Sequence, residues 1–140
     1  IAADPEGDHR PRTELPEFLS KLKQTVTELA RVGVQPVLMT LPPIDGARYL
    51  DYICRGGLSR DSIMRWLGDV GCIYRYQELY SDTVASFAMR EGLPLIDVRR
   101  RFLPQRDLSE LISADGIHLT MPGYRQLFDT LAQWVVPQLA

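Results

Sequence analysis

Twice along this chain, an amphipathic pattern of helical period ends at a glycine and is followed at once by a short apolar run. The first unit begins at Thr13, ends its helix at Gly33 and continues into a predicted strand over residues 34–41. The second ends its helix near Gly92 and continues into a predicted strand over residues 93–98. Because repeated helix-to-strand steps are typical of parallel sheets covered by helices, this order predicts an α/β fold.

Apolar residues at three- and four-residue steps define the core-facing sides of three predicted helices. Thr13 is expected to cap the first helix, and Pro122 suits the first turn of the last. The segment 44–72 shows little periodicity, and we expect one short helix there with Ser59 or Asp61 as its cap. The expected core-facing residues are Leu15, Phe18, Leu19, Leu22, Val26 and Leu29 in the first helix, Ile73, Tyr76, Leu79, Tyr80, Val84, Phe87 and Ala88 in the second, and Tyr124, Leu127, Phe128, Leu131 and Trp134 in the third.

Length and charge exclude several classes of protein. A chain of 140 residues holds one domain at most, and residues 1–12 are too polar to pack, so we expect a loose arm there. The 16 basic and 18 acidic side chains form no basic block, which argues against nucleic-acid binding. No apolar run approaches the roughly 18 residues of a membrane span. Cys54 and Cys72 lack metal-ligand spacing, so buried thiols and a single disulfide both stay open.

The pair that carries the most chemical information is Asp115 and His118, three residues apart in a predicted turn. A tight turn would let the Asp115 carboxylate accept the Nδ1 proton of His118 and leave Nε2 facing outward as a general base. The alternative is an ordinary pair of polar residues on a surface turn. His9, the other histidine, lies in the polar arm and is interpreted as a solvated loop residue.

In its context this pair resembles the last conserved block of the SGNH (GDSL-type) hydrolase family. Asp115 and His118 are followed by Leu119 and by Gly123-Tyr124 at the start of an amphipathic helix. Upstream, residues 36–43 are similar to the family's strand "PV-x-x-T-x-PP", and residues 95–98 look like its penultimate strand. The resemblance runs from about Thr13 to Val135 in the family's order.

The resemblance implies a flavodoxin-like three-layer α/β/α sandwich of about five parallel strands, with residues 13–140 as the C-terminal part of a single domain. It also implies a serine ester hydrolase, possible substrates being acylated or acetylated carbohydrates, in which Asp115 orients His118 and no metal or organic cofactor is needed. The family's nucleophile lies in a Gly-Asp-Ser block, and its oxyanion hole uses a glycine and an asparagine. This sequence has no Gly-Asp-Ser and no asparagine, so the chain alone is expected to be inactive.

The absence of the Gly-Asp-Ser block and of the oxyanion-hole asparagine suggests that another polypeptide completes the domain. Apolar strands without sheet neighbours expose an edge, so we expect a companion, either the N-terminal half of the same domain or a swapped dimer. Ser59 and Ser62 do not follow an apolar strand into a helix, as a nucleophile turn requires.

The segment 44–72 follows the end of a predicted strand, where open α/β sheets bind ligands, and could line a substrate pocket. Tyr49, Tyr52 and Trp66 offer flat faces that would suit sugar rings, and the alternative is that they simply pack inside the protein. The same segment holds four arginines that could bind carboxylates or phosphates, or could instead pair with its aspartates. The arginines are Arg48, Arg55, Arg60 and Arg65, and the aspartates are Asp45, Asp51, Asp61 and Asp69.

Two further functions compete with the esterase. One is a non-catalytic α/β module or carbohydrate-binding remnant. A precursor or partner chain without a Gly-Asp-Ser segment would favour this alternative. The other is nucleotide binding, which lacks the glycine-rich loop that cradles phosphates.

Overall fold

The computed structural model describes residues 12–138. The predicted arm therefore lies outside the described residues, apart from Arg12, and so does His9. The elements in chain order are α1 (Leu15–Arg31), β1 (Leu38–Met39), α2 (Gly46–Arg55), α3 (Arg60–Leu67), α4 (Gly71–Glu91), β2 (Leu95–Ile96), α5 (Arg99–Phe102), a 3₁₀ turn (Leu108–Glu110), α6 (Met121–Val135) and a last 3₁₀ turn (Val136–Gln138). No helix in this range is long and apolar enough to cross a membrane.

The two strands pair in parallel, as the order of the elements predicts. Leu38 lies opposite Leu95, and Met39 lies opposite Ile96. The Leu38 N–H donates to the Pro94 carbonyl at 2.9 Å, which extends the ladder by one bond. The chain is thus a mixed α/β protein with many more helical residues than strand residues.

Both strands are shorter than the apolar runs that predicted them. Pro36 and Pro94 carry no N–H to donate, which limits the ladder at its start. In the described part of the chain, no strand pairs with the other edge of β1. The apolar run over residues 34–41 also predicts a buried strand, and this is wrong for Val34 and Val37, which are exposed.

Helix α1 packs as its sequence predicts but begins differently. All six residues of its predicted core-facing side are half-buried, and the ring of Phe18 meets that of Tyr80 edge-on at 5.1 Å. Thr13 is not the N-cap, because the helix starts after Glu14, with Pro16 in its first turn. The Thr13 carbonyl instead accepts a hydrogen bond from the Tyr80 hydroxyl at 2.6 Å, which ties α1 to α4.

The segment 44–72 holds two helices where one was predicted. Ser59 caps α3, as expected, by accepting the Ser62 N–H at 3.3 Å. Helix α2 was missed because its buried side consists only of Gly46 and Leu50, too few residues for a clear period. Asp45 caps this helix by accepting the Arg48 N–H at 3.0 Å.

Cys54 and Cys72 are not joined by a disulfide. Both are free and half-buried, so they are less enclosed than the predicted buried thiols. The Arg75 guanidinium donates to the Cys72 sulfur at 3.0 Å.

The main hydrophobic cluster is formed by Ile96, Val98, Phe102 and Leu111. Met39, Leu108, Leu119, Leu127, Leu131 and Trp134 pack against it. A second buried group lies on α4 and comprises Val84, Phe87 and Ala88. Both strands therefore contact helices, with α4 touching β1 and β2 and α6 touching β2.

Four residues predicted to face the core are exposed instead. They are Tyr76 and Leu79 on α4, and Tyr124 and Phe128 on α6. The buried side of α6 is the narrower line of Leu127, Leu131 and Trp134. Each apolar stripe is wider than the surface that the neighbouring described elements cover, so its flank stays in contact with solvent.

A small polar network fixes the ends of the two strands. The Thr40 hydroxyl donates to Asp97 Oδ1 at 3.0 Å and accepts the Arg99 N–H at 3.0 Å. Arg99 also forms an ion pair with Glu78 on α4. These bonds join β1, β2, α4 and the start of α5 where both strands end.

Replacing Phe102 by alanine should lower the free energy of unfolding by about 3 kcal/mol or more, because its ring is fully buried and its loss leaves a cavity. Leu103→Ala is the matched control, since the neighbouring Leu103 is exposed, and should cost about 0.5 kcal/mol. Urea unfolding of both variants measures the difference. Equal midpoints would show that the cluster around Phe102 is not the core.

Candidate active site

The turn that carries Asp115 and His118 is closed by its own backbone. The Ser113 N–H donates to the His118 carbonyl at 2.8 Å, and the Gly116 N–H donates to the Ser113 carbonyl at 3.0 Å. Ile112 and Leu119 form an antiparallel bridge across its base. These bonds bring positions 115 and 118 to the same side of the turn.

Within this turn, Asp115 contacts the imidazole and the backbone at once. Its Oδ2 lies 2.5 Å from Nδ1 of His118. Its Oδ1 accepts the Ser113 hydroxyl at 2.5 Å and the N–H groups of Ile117 and His118 at 3.0 Å each. One carboxylate oxygen therefore shapes the turn, and the other orients the ring.

Exposure differs sharply between the two side chains. The His118 side chain is 69% exposed, whereas that of Asp115 is 19% exposed. Because Nδ1 is engaged by the carboxylate, the side of the ring that carries Nε2 is the side presented to solvent. Such an arrangement can accept a proton at Nε2 from a group outside the turn.

The hydrogen bonds also set the charge on the carboxylate. The Ser113 hydroxyl, then the His118 ring and the two backbone N–H groups, hold the pKa of Asp115 well below its ordinary value of 3.8. Asp115 is consequently ionised at neutral pH and can only accept hydrogen bonds. Nδ1 of His118 must therefore carry the proton, which leaves the lone pair of the neutral ring on Nε2.

Two glycines let the turn dock closely on its neighbours. Gly116 is buried with φ +80°, and a Cβ there would lie 2.4 Å from the Tyr49 backbone nitrogen on α2. Gly123, in the first turn of α6, would place a Cβ 2.3 Å from the Leu111 carbonyl oxygen. Thr120 caps α6 by accepting the Gly123 N–H at 3.2 Å, and Pro122 lies in the first turn as predicted.

The three aromatic residues predicted to bind substrate lie in different surroundings. The backbone of Tyr49 lies against the turn, since its nitrogen is 2.4 Å from the position that a Cβ on Gly116 would take. Tyr52 lines a cavity of about 490 Å³ together with Ile53, Arg55, Gly56 and Leu58, and neither Asp115 nor His118 lines it. Trp66 lies on α3, partly exposed. A sugar-binding role for the three residues stays a prediction.

A larger open groove lies between α5 and α6. Its volume is about 880 Å³, and Arg100, Arg125 and Asp129 are among the residues that line it. Leu111 and Pro122, on either side of the turn, also contribute to the lining. His118 and Asp115 do not, so the groove is separate from the pair.

Four serine hydroxyls of the described residues bond to groups other than the His118 ring. The hydroxyl of Ser113 is bonded to Asp115, that of Ser81 accepts the Leu41 N–H, and Ser59 and Ser62 bond to each other at the start of α3. Within residues 12–138, no group of three or more histidine, cysteine, aspartate or glutamate side chains is arranged to hold a metal ion.

Sequence reasoning missed the supporting role of Ser113. The available signal was closeness in sequence, because Ser113 lies only two residues before Asp115. The contact of the turn with the start of α2 left no such signal, because it joins residues far apart in the chain.

Comparison with known proteins adds no family. No family model matches this sequence, and no curated protein matches it. The resemblance to SGNH hydrolases therefore rests on the residues named above.

Replacing Gly116 by alanine should lower the free energy of unfolding by about 3 kcal/mol, since strain at positive φ adds to a collision with the α2 backbone. Gly33→Ala is the matched control. Gly33 has φ +77° with nothing near its Cβ position, so only the strain of about 1 kcal/mol applies. Chemical denaturation of both variants tests the difference, and equal losses would contradict the close docking of the turn.

Replacing Ser113 by alanine should raise the pKa of Asp115 towards its ordinary value, because the Ser113 hydroxyl is the largest cause of the lowering. Since the pKa in the folded state is below that in the unfolded state, the ionised carboxylate stabilises the fold above about pH 3.8. That stabilisation is lost as the pH falls through the folded-state pKa, and in Ser113→Ala the loss should come at a higher pH.

Carboxyl ¹³C NMR titration of Asp115 measures this shift directly. Ser20→Ala, which removes an exposed serine from α1, should leave the titration unchanged. An unchanged Asp115 titration in Ser113→Ala would mean that the hydroxyl does not support the carboxylate.

Proposed function

We propose that this chain supplies the histidine and aspartate of a serine ester hydrolase similar to the SGNH hydrolases. The observation that carries the proposal is the 2.5 Å contact between Asp115 Oδ2 and His118 Nδ1, on a ring whose other side faces solvent. An ionised carboxylate that fixes the imidazole tautomer is what a proton-accepting histidine needs in ester hydrolysis.

The proposed reaction begins when a serine hydroxyl, supplied from outside the described residues, attacks the carbonyl carbon of an ester. Nε2 of His118 takes the serine proton, and the Asp115 carboxylate stabilises the imidazolium that forms. As the tetrahedral intermediate collapses, His118 returns the proton to the leaving alcohol and an acyl-serine remains. Water then attacks the acyl-serine with the same assistance, which releases the acid and restores the serine.

The hydrogen bonds around Asp115 favour this role over that of a surface ion pair. Three donors hold Oδ1, so the carboxylate cannot rotate away from the ring without breaking the turn. An ionised partner next to Nδ1 also lowers the energy of the imidazolium. Both effects support a histidine that cycles between neutral and charged forms while keeping its orientation.

For the fold, we propose the three-layer sandwich that the resemblance implies. Successive side chains of a strand point to opposite faces of a sheet. Met39 and Ile96 share one face, where they belong to the cluster that includes Leu131 of α6. Leu38 and Leu95 point the other way, and α4 contacts both strands. These facts support α6 and α4 on opposite faces of a parallel sheet.

The open edge of β1 supports a polypeptide partner that extends this sheet. A two-stranded sheet is marginal by itself, and Val34 and Val37, which precede β1 in the chain, are exposed. Close to His118 in sequence, Met121 is 78% exposed and Phe128 is 68% exposed. A strand on β1 and cover on α6 would remove both apolar surfaces from water.

We propose that this partner carries the serine and corresponds to the N-terminal half of such a domain. A swapped dimer fits less well, because a second copy brings no Gly-Asp-Ser segment and no asparagine to the site. The exposed ring of Tyr52 gives limited support to a carbohydrate ester as substrate, since a flat aromatic face can stack on a sugar ring.

The decisive experiment uses the native preparation of the protein, with whatever polypeptide accompanies it. His118→Ala should lower the hydrolysis of p-nitrophenyl acetate at least about 10³-fold, as loss of the histidine does in serine hydrolases. His9→Ala is the matched control, because it removes the only other histidine and should leave the rate unchanged.

A serine-reactive phosphonate and intact-mass analysis identify the nucleophile in the same sample. The proposal expects the label on a companion polypeptide and none on this 15.9 kDa chain. Hydrolysis that survives His118→Ala, or a preparation without a labelled serine, would contradict the esterase and favour a non-catalytic α/β module.

A further inference from the structure

We infer that Arg48 on α2 is a positioning residue for the Asp115–His118 pair, an inference that rests on the function proposed above. Arg48 touches neither side chain of the pair. It holds the backbone of the turn that carries them, from the segment 44–72, which the sequence predicts as a possible lining of a substrate pocket.

The contacts of Arg48 reach across the base of the turn. Its Nη1 donates to the Ile112 carbonyl at 2.9 Å and approaches the Ser109 carbonyl at 3.3 Å. Its Nε lies 3.4 Å from Oδ2 of Asp45. The guanidinium therefore links Asp45, the N-cap of α2, to the backbone segment that leads into the turn.

Asp45 holds the other side of the same turn. Its N–H donates to the Gly116 carbonyl at 2.8 Å, and its Oδ1 caps α2 by accepting the Arg48 N–H. Arg48 and Asp45 thus hold the backbone both before Ser113 and after Asp115. The two ends of the segment that carries the carboxylate are fixed to one helix start.

This geometry connects Arg48 to the imidazole by a short route. The Ile112 carbonyl belongs to the peptide whose nitrogen is that of Ser113. That N–H donates to the His118 carbonyl, and the Ser113 hydroxyl donates to Asp115. A shift of the Ile112–Ser113 peptide would therefore move both partners of the Asp115–His118 contact.

An arginine suits this position better than a lysine. The guanidinium is a planar fork that can bond to a carbonyl and face a carboxylate at the same time, whereas an ammonium is a compact point charge. The Arg48 side chain is 34% exposed, so it is partly removed from water. Arg60 differs, because its ion pair with Asp51 is more than half exposed on both sides and touches no part of the turn.

The test replaces Arg48 by methionine in the whole chain and records long-range ¹H–¹⁵N spectra of His118. The parent protein should show His118 as the Nδ1–H tautomer. Arg48→Met should raise the population of the Nε2–H tautomer several-fold, because the Asp115 carboxylate is then no longer aligned with Nδ1 of His118. Arg48→Lys should give an intermediate population.

Arg60→Met is the matched control, and it should leave the His118 spectrum unchanged. Asp115→Asn marks the full effect of losing the carboxylate. If Arg48→Met does not fold, as judged by thermal unfolding, the tautomer population of Arg48→Lys is compared with that of Arg60→Lys instead. A His118 spectrum that matches the parent in the folded Arg48 variant would overturn the inference.

The outcome is independent of hydrolysis, so failure of this inference and failure of the proposed function are distinguishable. In a preparation that hydrolyses esters, Arg48→Met should lower kcat about 10- to 100-fold with KM unchanged, as a small misplacement of a catalytic group does. A raised KM with unchanged kcat would instead assign Arg48 to substrate binding and overturn the positioning role.

Discussion

The carboxylate of Asp115 is the interaction on which the site depends. Its two oxygens have different partners. Oδ1 accepts three hydrogen bonds from the turn, and Oδ2 contacts the imidazole of His118. Neither function is separable from the other. A carboxylate that lost its donors would be free to leave the ring, and a ring without the carboxylate would have no fixed tautomer.

The turn is closed by its own backbone and is also packed closely against its neighbours. Helix α2 approaches it so closely that position 116 admits only glycine, and α6 does the same at position 123. The hydrophobic cluster around Phe102 in turn fixes α6 relative to β2. The packed helices on both sides of the turn therefore help to hold Asp115 and His118 in place.

The sequence predicted features that are set locally. The half-buried face of α1, the glycine end of α4 at Gly92 and the place of Pro122 follow from residues within one or two turns of each other. The spacing of Asp115 and His118 likewise predicted that they could meet.

Features that depend on distant partners were missed or overestimated. The bond from Arg48 to the Ile112 carbonyl joins residues 64 apart, and no local pattern encodes it. The exposed Tyr124 and Phe128 continue the apolar stripe of α6, yet periodicity does not tell how much of a stripe its neighbours cover. Helix α2 has a cap and a packing surface but too few buried residues to show a period.

The unequal surroundings of the two imidazole nitrogens have a chemical consequence. Nδ1 of His118 is occupied by a carboxylate, whereas the rest of the ring is largely open to solvent. An alkylating or acylating reagent that arrives from solution therefore finds a single accessible lone pair. The regiochemistry of covalent labelling at this residue is decided by the fold, before any reagent is chosen.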